Sequence, residues 1–387
     1  MPLPPGLELS AAGDDNRPVR QLVRDFTAKH VMPVAADLDA SPRFPAEIYR
    51  EMAKAGLFGI TVPEELGGAG ARALDYLHVM EGLSFGYASV ADQCGLVELV
   101  GTLLTKHGTP DQQREFLGPL LRADRFCAYA LTEAGAGSDL RGVSTRARPD
   151  GDGWILDGEK VFIHNAPVAD FATVLARTGD SYSVFLVDLD ANGVSRTYRE
   201  HKMGQRASQV GGLAFESVRL PAGALLGGLG EGFTLMTSVL ARGRLGISGL
   251  SLGISRAAIT AATEQAETRT AFGRPIGANQ GVAFPIADAA AEYRAAFLLA
   301  EDAARRLDQG QEDAAAACSM AKLYASEACV RHADMAVQVF GGSGYIQGYL
   351  PERLYRDARI TRIYEGTSEI QRLIISRWLM DTRGGTR

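Results

Sequence analysis

Cysteine is scarce in this 387-residue sequence, and none of Cys94, Cys127, Cys318 and Cys329 stands in a C-x-x-C pair. A disulfide framework and a thiolate metal centre are therefore not expected, and buried reduced thiols in a cytoplasmic protein are the simpler reading. No metal site is expected. Runs of like charge are also missing: Lys and Arg are dispersed and the net charge is −6, which leaves no basic footprint for nucleic acid. The opening Met1-Pro2-Leu3-Pro4-Pro5-Gly6 soon meets Asp14 and Asp15, without a basic segment followed by an apolar core, so neither a secretory nor a transit leader is expected. No apolar run reads as a membrane span, and no membrane partner is expected. Internal repeats, Pro-rich linkers and low-complexity tracts are missing too, apart from the tail Gly384-Gly385-Thr386-Arg387.

What remains is an ordinary globular composition at a length beyond one usual core, so two or three domains sharing interfaces are expected. From about residue 16 to 122 the apolar spacing is helical: Val19, Leu22, Val23, Phe26 and His30 share one face after Pro18, and Phe44-Pro45-Ala46 opens a second amphipathic helix. Near Phe126 the texture changes to short apolar runs, such as Val161-Phe162-Ile163 and Val184-Phe185-Leu186-Val187, separated by glycine turns. Asp150-Gly151-Asp152-Gly153 and Asp157-Gly158 both read as hairpin signals. From Phe233 onward the chain is helical and Ala-rich, with heptad-like stretches over 233–268, 279–308 and 311–339 that suit a four-helix bundle. The expected fold is mainly α with a central β-domain: N-terminal helical domain 1–122, middle β-domain 123–232 and C-terminal helical bundle 233–387.

The most chemically loaded run is Arg362-Ile363-Tyr364-Glu365-Gly366-Thr367-Ser368-Glu369-Ile370-Gln371. Ser368 with Gln371 has the form of a capping box, and Ile370, Leu373, Ile374 and Trp378 recur at helical spacing, so Glu365 sits on a loop feeding a helix. Taken alone, Glu365 and Glu369 read as solvated carboxylates with cap preferences. Upstream, Tyr129-Ala130-Leu131-Thr132-Glu133-Ala134-Gly135-Ala136-Gly137-Ser138-Asp139 offers a hydroxyl and unencumbered backbone N–H groups that could grip a ring edge or an anionic oxygen. It is not a Rossmann loop, because a G-x-G-x-x-G starting at Gly135 needs glycine where Leu140 stands. Arg269-Thr270-Ala271-Phe272-Gly273-Arg274-Pro275 reads, by itself, as a helix stop.

Together, I-Y-E-G-T-S-E-I-Q-R, L-T-E-x-x-A-G-S-D and R-x-x-F-G-R-P closely resemble the acyl-CoA dehydrogenase family of flavoproteins, in the family's order and over essentially the whole chain. The resemblance implies FAD as cofactor and Glu365 as the catalytic base, removing the proton α to a thioester carbonyl while the β-hydrogen leaves as hydride. The thioester carbonyl is then bonded to the Glu365 amide and to a flavin hydroxyl. It further implies that Tyr129, Leu131 and Thr132 meet the isoalloxazine, that Gly137 and Ser138 lie toward ring and substrate, and that Phe162 covers the flavin. His164 stands where the family has a hydroxyl residue, a departure. Either its imidazole donates in the hydroxyl's place or it points away and a backbone amide substitutes. By the same resemblance Arg269, Phe272, Gln280, Gln338, Gly341 and Gly342 hold the pyrophosphate and adenosine half across a subunit boundary, implying a homodimer or homotetramer. Thr367 and Glu369 serve the ribityl and phosphate side, and Arg244 and Gly366 the substrate. Gly243 takes the place where some members carry an alternative base. Asp92, Gln93, Cys94 and Glu98 lie in the region that lines the family's acyl pocket; they suggest a short or polar acyl group, or else face solvent or another helix. Coenzyme A is the expected tether, with an acyl-carrier protein as alternative, and an electron-transfer flavoprotein is the expected oxidant. A flavin oxidase or monooxygenase, and a non-catalytic flavin-binding protein, are the competing readings; the presence of Glu365 speaks against both.

Overall fold

The computed structural model describes residues 17–381; the N-terminal residues and the Gly384–Arg387 tail discussed above lie outside them. Among the described residues seven α-helices precede the sheet: α1 (Arg17–Phe26), α2 (Ala35–Ala40), α3 (Ala46–Lys54), α4 (Ala73–Gly86), α5 (Ala88–His107), and the short α6 (Pro110–Gln112) and α7 (Gly118–Leu121). Along α4 and α5 nearly every position is buried, which is why their apolar residues run on all sides instead of in one stripe.

Eight strands follow: β1 (Cys127–Ala130), β2 (Arg146–Asp150), β3 (Gly153–His164), β4 (Phe171–Thr178), β5 (Ser181–Asp188), β6 (Val194–Arg199), β7 (Val210–Leu220) and β8 (Leu225–Leu226). Their order is β6-β7-β3-β2-β4-β5-β8, with β1 parallel to β4. Gly151 and Asp152 close the β2–β3 hairpin, with Asp150 opposite Gly153. Asp157-Gly158 is not a hairpin. It lies inside β3 at a register shift against β7, where Gly158 (φ +144°) lets the Thr145 backbone pass 2.6 Å from the place a Cβ would take. A second shift, between Lys160 and Ile163, puts Phe162 at φ +57° and leaves its ring 65% exposed.

The C-terminal part holds α8 (Gly232–Ser238), α9 (Leu240–Thr268), a ribbon of β9 (Thr270–Ala271) and β10 (Arg274–Pro275), α10 (Gln280–Asp308), α11 (Ala314–Phe340), α12 (Leu350–Arg359) and α13 (Ser368–Asp381). The expected helix stop at Arg269–Pro275 is this ribbon, turned at Phe272 and Gly273, both with positive φ. α9 is the hinge of the packing, lying between α11 and α4. Glycines on α9 permit this: a Cβ at Gly249 would stand 2.8 Å from the Leu77 carbonyl oxygen, and one at Gly253 2.7 Å from the Phe85 nitrogen. One apolar core consequently runs through the N-terminal helices and the bundle, from Val23 and Tyr49 to Cys329 and Ala358. The sheet keeps a second core around Leu156, Val174 and Phe185. Contrary to the sequence expectation, Gly232–Thr268 contains an 18-residue window apolar enough to cross a membrane. Because 94% of that window is buried inside the protein, its apolar side chains are core.

Candidate active site

Between α12 and α13 the chain turns through two left-handed residues, Glu365 (φ +54°) and Gly366 (φ +88°). For a residue with a Cβ this conformation costs on the order of 1–2 kcal/mol, so its surroundings must hold it. Gln371 Nε2 donates to the carbonyls of Glu365 at 3.1 Å and Gly366 at 2.9 Å, and Lys322 Nζ, from α11, donates to the Gly366 carbonyl at 2.7 Å. The helix cap is Thr367, whose hydroxyl accepts from the Ile370 N–H at 3.3 Å. Ser368 instead donates to Glu327 at 2.7 Å, so the expected Ser368–Gln371 capping box does not form; Gln371 is taken up by the turn itself.

This turn aims Glu365 at α9. A Cβ built on Gly243 would lie 3.0 Å from Glu365 Cδ, closer still to Oε2, and 3.1 Å from Leu99 Cδ1. Glycine at 243 is what leaves the carboxylate its place. Burial pushes the Glu365 pKa up to about 7, against the pull of Arg244 and Lys322 and with a smaller push from Asp92. Glu365 Oε2 and Arg244 Nε are both buried without a hydrogen-bond partner among the described residues. The backbone N–H of Glu365 donates to no acceptor among them either. Orphaned buried groups are uncommon and call for a ligand. Here they form a base poised near neutral pH beside an amide free to receive an oxygen.

The loop expected to grip the flavin is anchored by a residue given no role in the sequence analysis. Glu133 accepts from the Ser144 N–H (2.7 Å), the Thr145 N–H (3.0 Å) and Lys160 Nζ (2.8 Å). Burial pushes its pKa up, but these bonds outweigh it and hold the carboxyl at about 2. Lys160 also donates to the Leu131 carbonyl, and Val161 N–H to that of Thr132, which presents Gly137 and Ser138 on the exposed side. The Tyr129 hydroxyl donates to the Met236 carbonyl at 2.7 Å. His164 Nε2 lies 2.9 Å from Ser208 Oγ and Nδ1 3.5 Å from Asp92; because Ser208 donates to Asp92, Nε2 donates to Ser208, and burial lowers the imidazole pKa against the opposite pull of Asp92.

Arg269, Gln280, Gln338, Gly341 and Gly342 lie at the exposed ends of the long helices or in the turns beside them, and Phe272 is 99% exposed at the ribbon tip. None of them bonds to the Glu365 turn, whereas Thr367 and Glu369 adjoin it. A Cβ at Gly137, Gly341 or Gly342 would meet nothing within 4 Å. Open glycines, the outward Phe162 ring and the orphaned polar atoms fit a flavin: the backbone is accessible and an apolar face stands uncovered. Three of the four polar residues of the supposed acyl wall are engaged inside the protein, while Gln93 keeps a buried Nε2 without a partner among the described residues. Asp92 accepts from Ser208 (2.6 Å), Gln93 from Asn165 (2.8 Å), and Cys94 Sγ donates to the Leu57 carbonyl (3.2 Å). Glu98 is held by Thr61 and by Arg242 at 3.3 Å. Asp92, Cys94 and Glu98 therefore offer no free polar atom in these bonds, and Gln93 Nε2 is the one donor of the four left open among the described residues. Sequence reasoning missed Tyr76, whose ring a Cβ at Gly246 would approach to 3.0 Å at Cζ, and Lys322, a lone cation on the Ala-rich buried face of α11.

Helices, sheet and helical bundle around a carboxylate with a pKa near 7 are the arrangement expected of a flavin-dependent oxidoreductase. Three family models match in sequence: "Acyl-CoA dehydrogenase, N-terminal domain" over residues 13–124, "Acyl-CoA dehydrogenase, middle domain" over 128–218, and "Acyl-CoA dehydrogenase, C-terminal domain" over 230–380. The chain is 41% identical to a short-chain specific acyl-CoA dehydrogenase, mitochondrial, from Bos taurus, over 94% of this chain and 89% of that one. It is 40% identical to the caffeyl-CoA reductase-Etf complex subunit CarC of Acetobacterium woodii, over 95% and 98%. The solved butyryl-CoA dehydrogenase from Megasphaera elsdenii superposes with a TM-score of 0.92 at 32% identity, covering 96% of this chain and 99% of that one. The chain belongs to the acyl-CoA dehydrogenase family.

Proposed function

We propose that this protein is an FAD-dependent dehydrogenase of short-chain acyl-CoA thioesters, yielding the trans-2-enoyl thioester. The observation that carries it is Glu365: a half-buried residue whose Oε2 is buried without a partner among the described residues, with a pKa near 7, on a turn whose amide is free. Bound FAD supplies the two-electron acceptor for the β-hydrogen. Tyr129, Leu131, Thr132, Phe162, Thr367 and Glu369 would hold its ring and ribityl side. Arg269, Phe272, Gln280, Gln338, Gly341 and Gly342 would hold the adenosine half of a neighbouring subunit's cofactor. The exposure of Phe272 and of the open glycines supports such an interface. Glu365 takes the Cα proton, and its own N–H steadies the thioester oxygen as charge grows there. An electron-transfer flavoprotein is the proposed acceptor, by the likeness to the Etf-associated relative, and the cytoplasm the proposed compartment.

The packing around Tyr76 supports a short chain. Tyr76 is fully buried, and its pKa responds first to that burial and then to Cys94, Glu98, Glu365 and Arg242, which puts its phenol among the groups around the base. Its ring fills the space beside Gly246, and on this reading it would limit the length of the acyl chain. Anaerobic titration with a ladder of acyl-CoA thioesters should bleach the flavin with four-carbon chains more readily than with chains of eight or more. No bleaching with any of them would defeat the reading. Tyr76→Ala should shift the kcat/KM ratio toward eight-carbon substrate by on the order of 10–100-fold, since each methylene admitted to a pocket carries about 1–3 kcal/mol. An unchanged ratio would remove Tyr76 as the limit.

A further inference from the structure

We infer that Lys322 is the positioning residue of the base: by holding the Gly366 carbonyl from α11 and facing Glu365 with a positive charge, it fixes where the carboxylate stands and how readily it ionises. This rests on the dehydrogenase reading above and goes beyond it, because Lys322 acts on the base through the Gly366 carbonyl.

Three observations carry it. Lys322 is fully buried, an unusual place for an ammonium, and its bond with a protein partner is to the Gly366 carbonyl at 2.7 Å. The carbonyl belongs to the second of two left-handed residues, so the bond acts on the part of the chain whose conformation most needs support. Gln371 shares that carbonyl from α13, so the turn is clamped from two helices. The charge has a second consequence. Burial lowers the Lys322 pKa to about 8, and Glu365 is the foremost group opposing that fall, while Lys322 and Arg244 in turn draw the Glu365 pKa down against its own burial. Asp92 of α5 pushes the Glu365 value the other way. Tyr76 of α4, Tyr129 of β1 and Tyr364 of the same turn also feel the carboxylate, all with phenol pKa values raised by burial and neutral throughout the working range. Glu327 and Glu369 also favour the charged form of Lys322, and Arg244 disfavours it.

Two substitutions separate the roles. Lys322→Met removes both the donor and the charge; Lys322→Gln keeps a donor and removes the charge. The readout is the stopped-flow rate of flavin bleaching by a short acyl-CoA in FAD-loaded enzyme from pH 6 to 9. Lys322→Met should lower the limiting rate at high pH by about 10–100-fold, the scale of a misplaced catalytic group. It should also move the midpoint of the pH profile upward by about one unit, because an opposing charge is lost. Lys322→Gln should recover most of the limiting rate while keeping the raised midpoint. Wild-type rates and midpoints in both variants would overturn the inference. So would loss of FAD and of the near-UV circular dichroism in both, which would make Lys322 a packing residue. Failure of the wild-type enzyme to bleach with any thioester would instead refute the dehydrogenase reading itself.

Discussion

Glu365→Gln should retain FAD and the folded near-UV signal, yet bleach with a good acyl-CoA substrate on the order of 10²–10⁴-fold more slowly. The amide matches the carboxylate in size, so the contacts with α9 around Gly243 survive. What disappears is the carboxylate that accepts the Cα proton, and a positioned base is worth about that factor. The same substitution should alter stability with a defined sign. The Glu365 pKa of about 7 in the folded protein lies above the 4.5 of the unfolded group. Ionisation therefore opposes folding, and stability is lost as the pH rises from about 4.5 through 7. Glutamine removes that loss, so flavin-free Glu365→Gln should be the more stable protein at pH 8, by roughly 3 kcal/mol at most, and no more stable at pH 4. Thermal melts at the two pH values check this; equal differences at both would contradict the buried, near-neutral carboxyl.

Gly243→Ala should be nearly as harmful, although alanine is the better helix former by about 1 kcal/mol. The added methyl group would overlap Glu365 Oε2 and approach Cδ to 3.0 Å, and Leu99 Cδ1 closes the other side at 3.1 Å. The carboxylate has to move, and a shift of this kind costs on the order of 10²-fold in rate. Measured by single-turnover bleaching, Gly243→Ala should lose that factor with FAD content unchanged. Because the Cα of residue 243 points at the place the carboxylate occupies, Gly243→Glu combined with Glu365→Gly should return part of the activity that Glu365→Gly alone removes. A fully active Gly243→Ala would mean that Glu365 does not work from this position.

The order of helices, sheet and bundle was legible because it is written in periodicity: the stretches 233–268, 279–308 and 311–339 correspond closely to Leu240–Thr268, Gln280–Asp308 and Ala314–Phe340. Glu365 was legible because its motif is contiguous. What stayed hidden depends on contacts between distant segments. Asp157-Gly158 carries the letters of a turn, but only the approach of Thr145 makes it a bulge. Ser368 and Thr367 are both good caps, and the choice falls to Thr367 because Glu327 of α11 claims the serine. Lys322, forty-four residues from Gly366, is one lysine on an alanine-rich helix until the fold brings the two together. That the N-terminal helices and the bundle share a single core is likewise invisible to a reading that moves along the chain.

Exchange of substrate α-protons with solvent tests most directly whether Glu365 is the base. FAD-loaded enzyme, held anaerobically in D2O with a short acyl-CoA and followed by proton NMR, should wash deuterium into Cα in the wild type at a rate that rises with pH through about 7, and Glu365→Gln should leave Cα protonated. Undiminished exchange in Glu365→Gln would contradict the assignment of the base and, with it, the mechanism built on this turn.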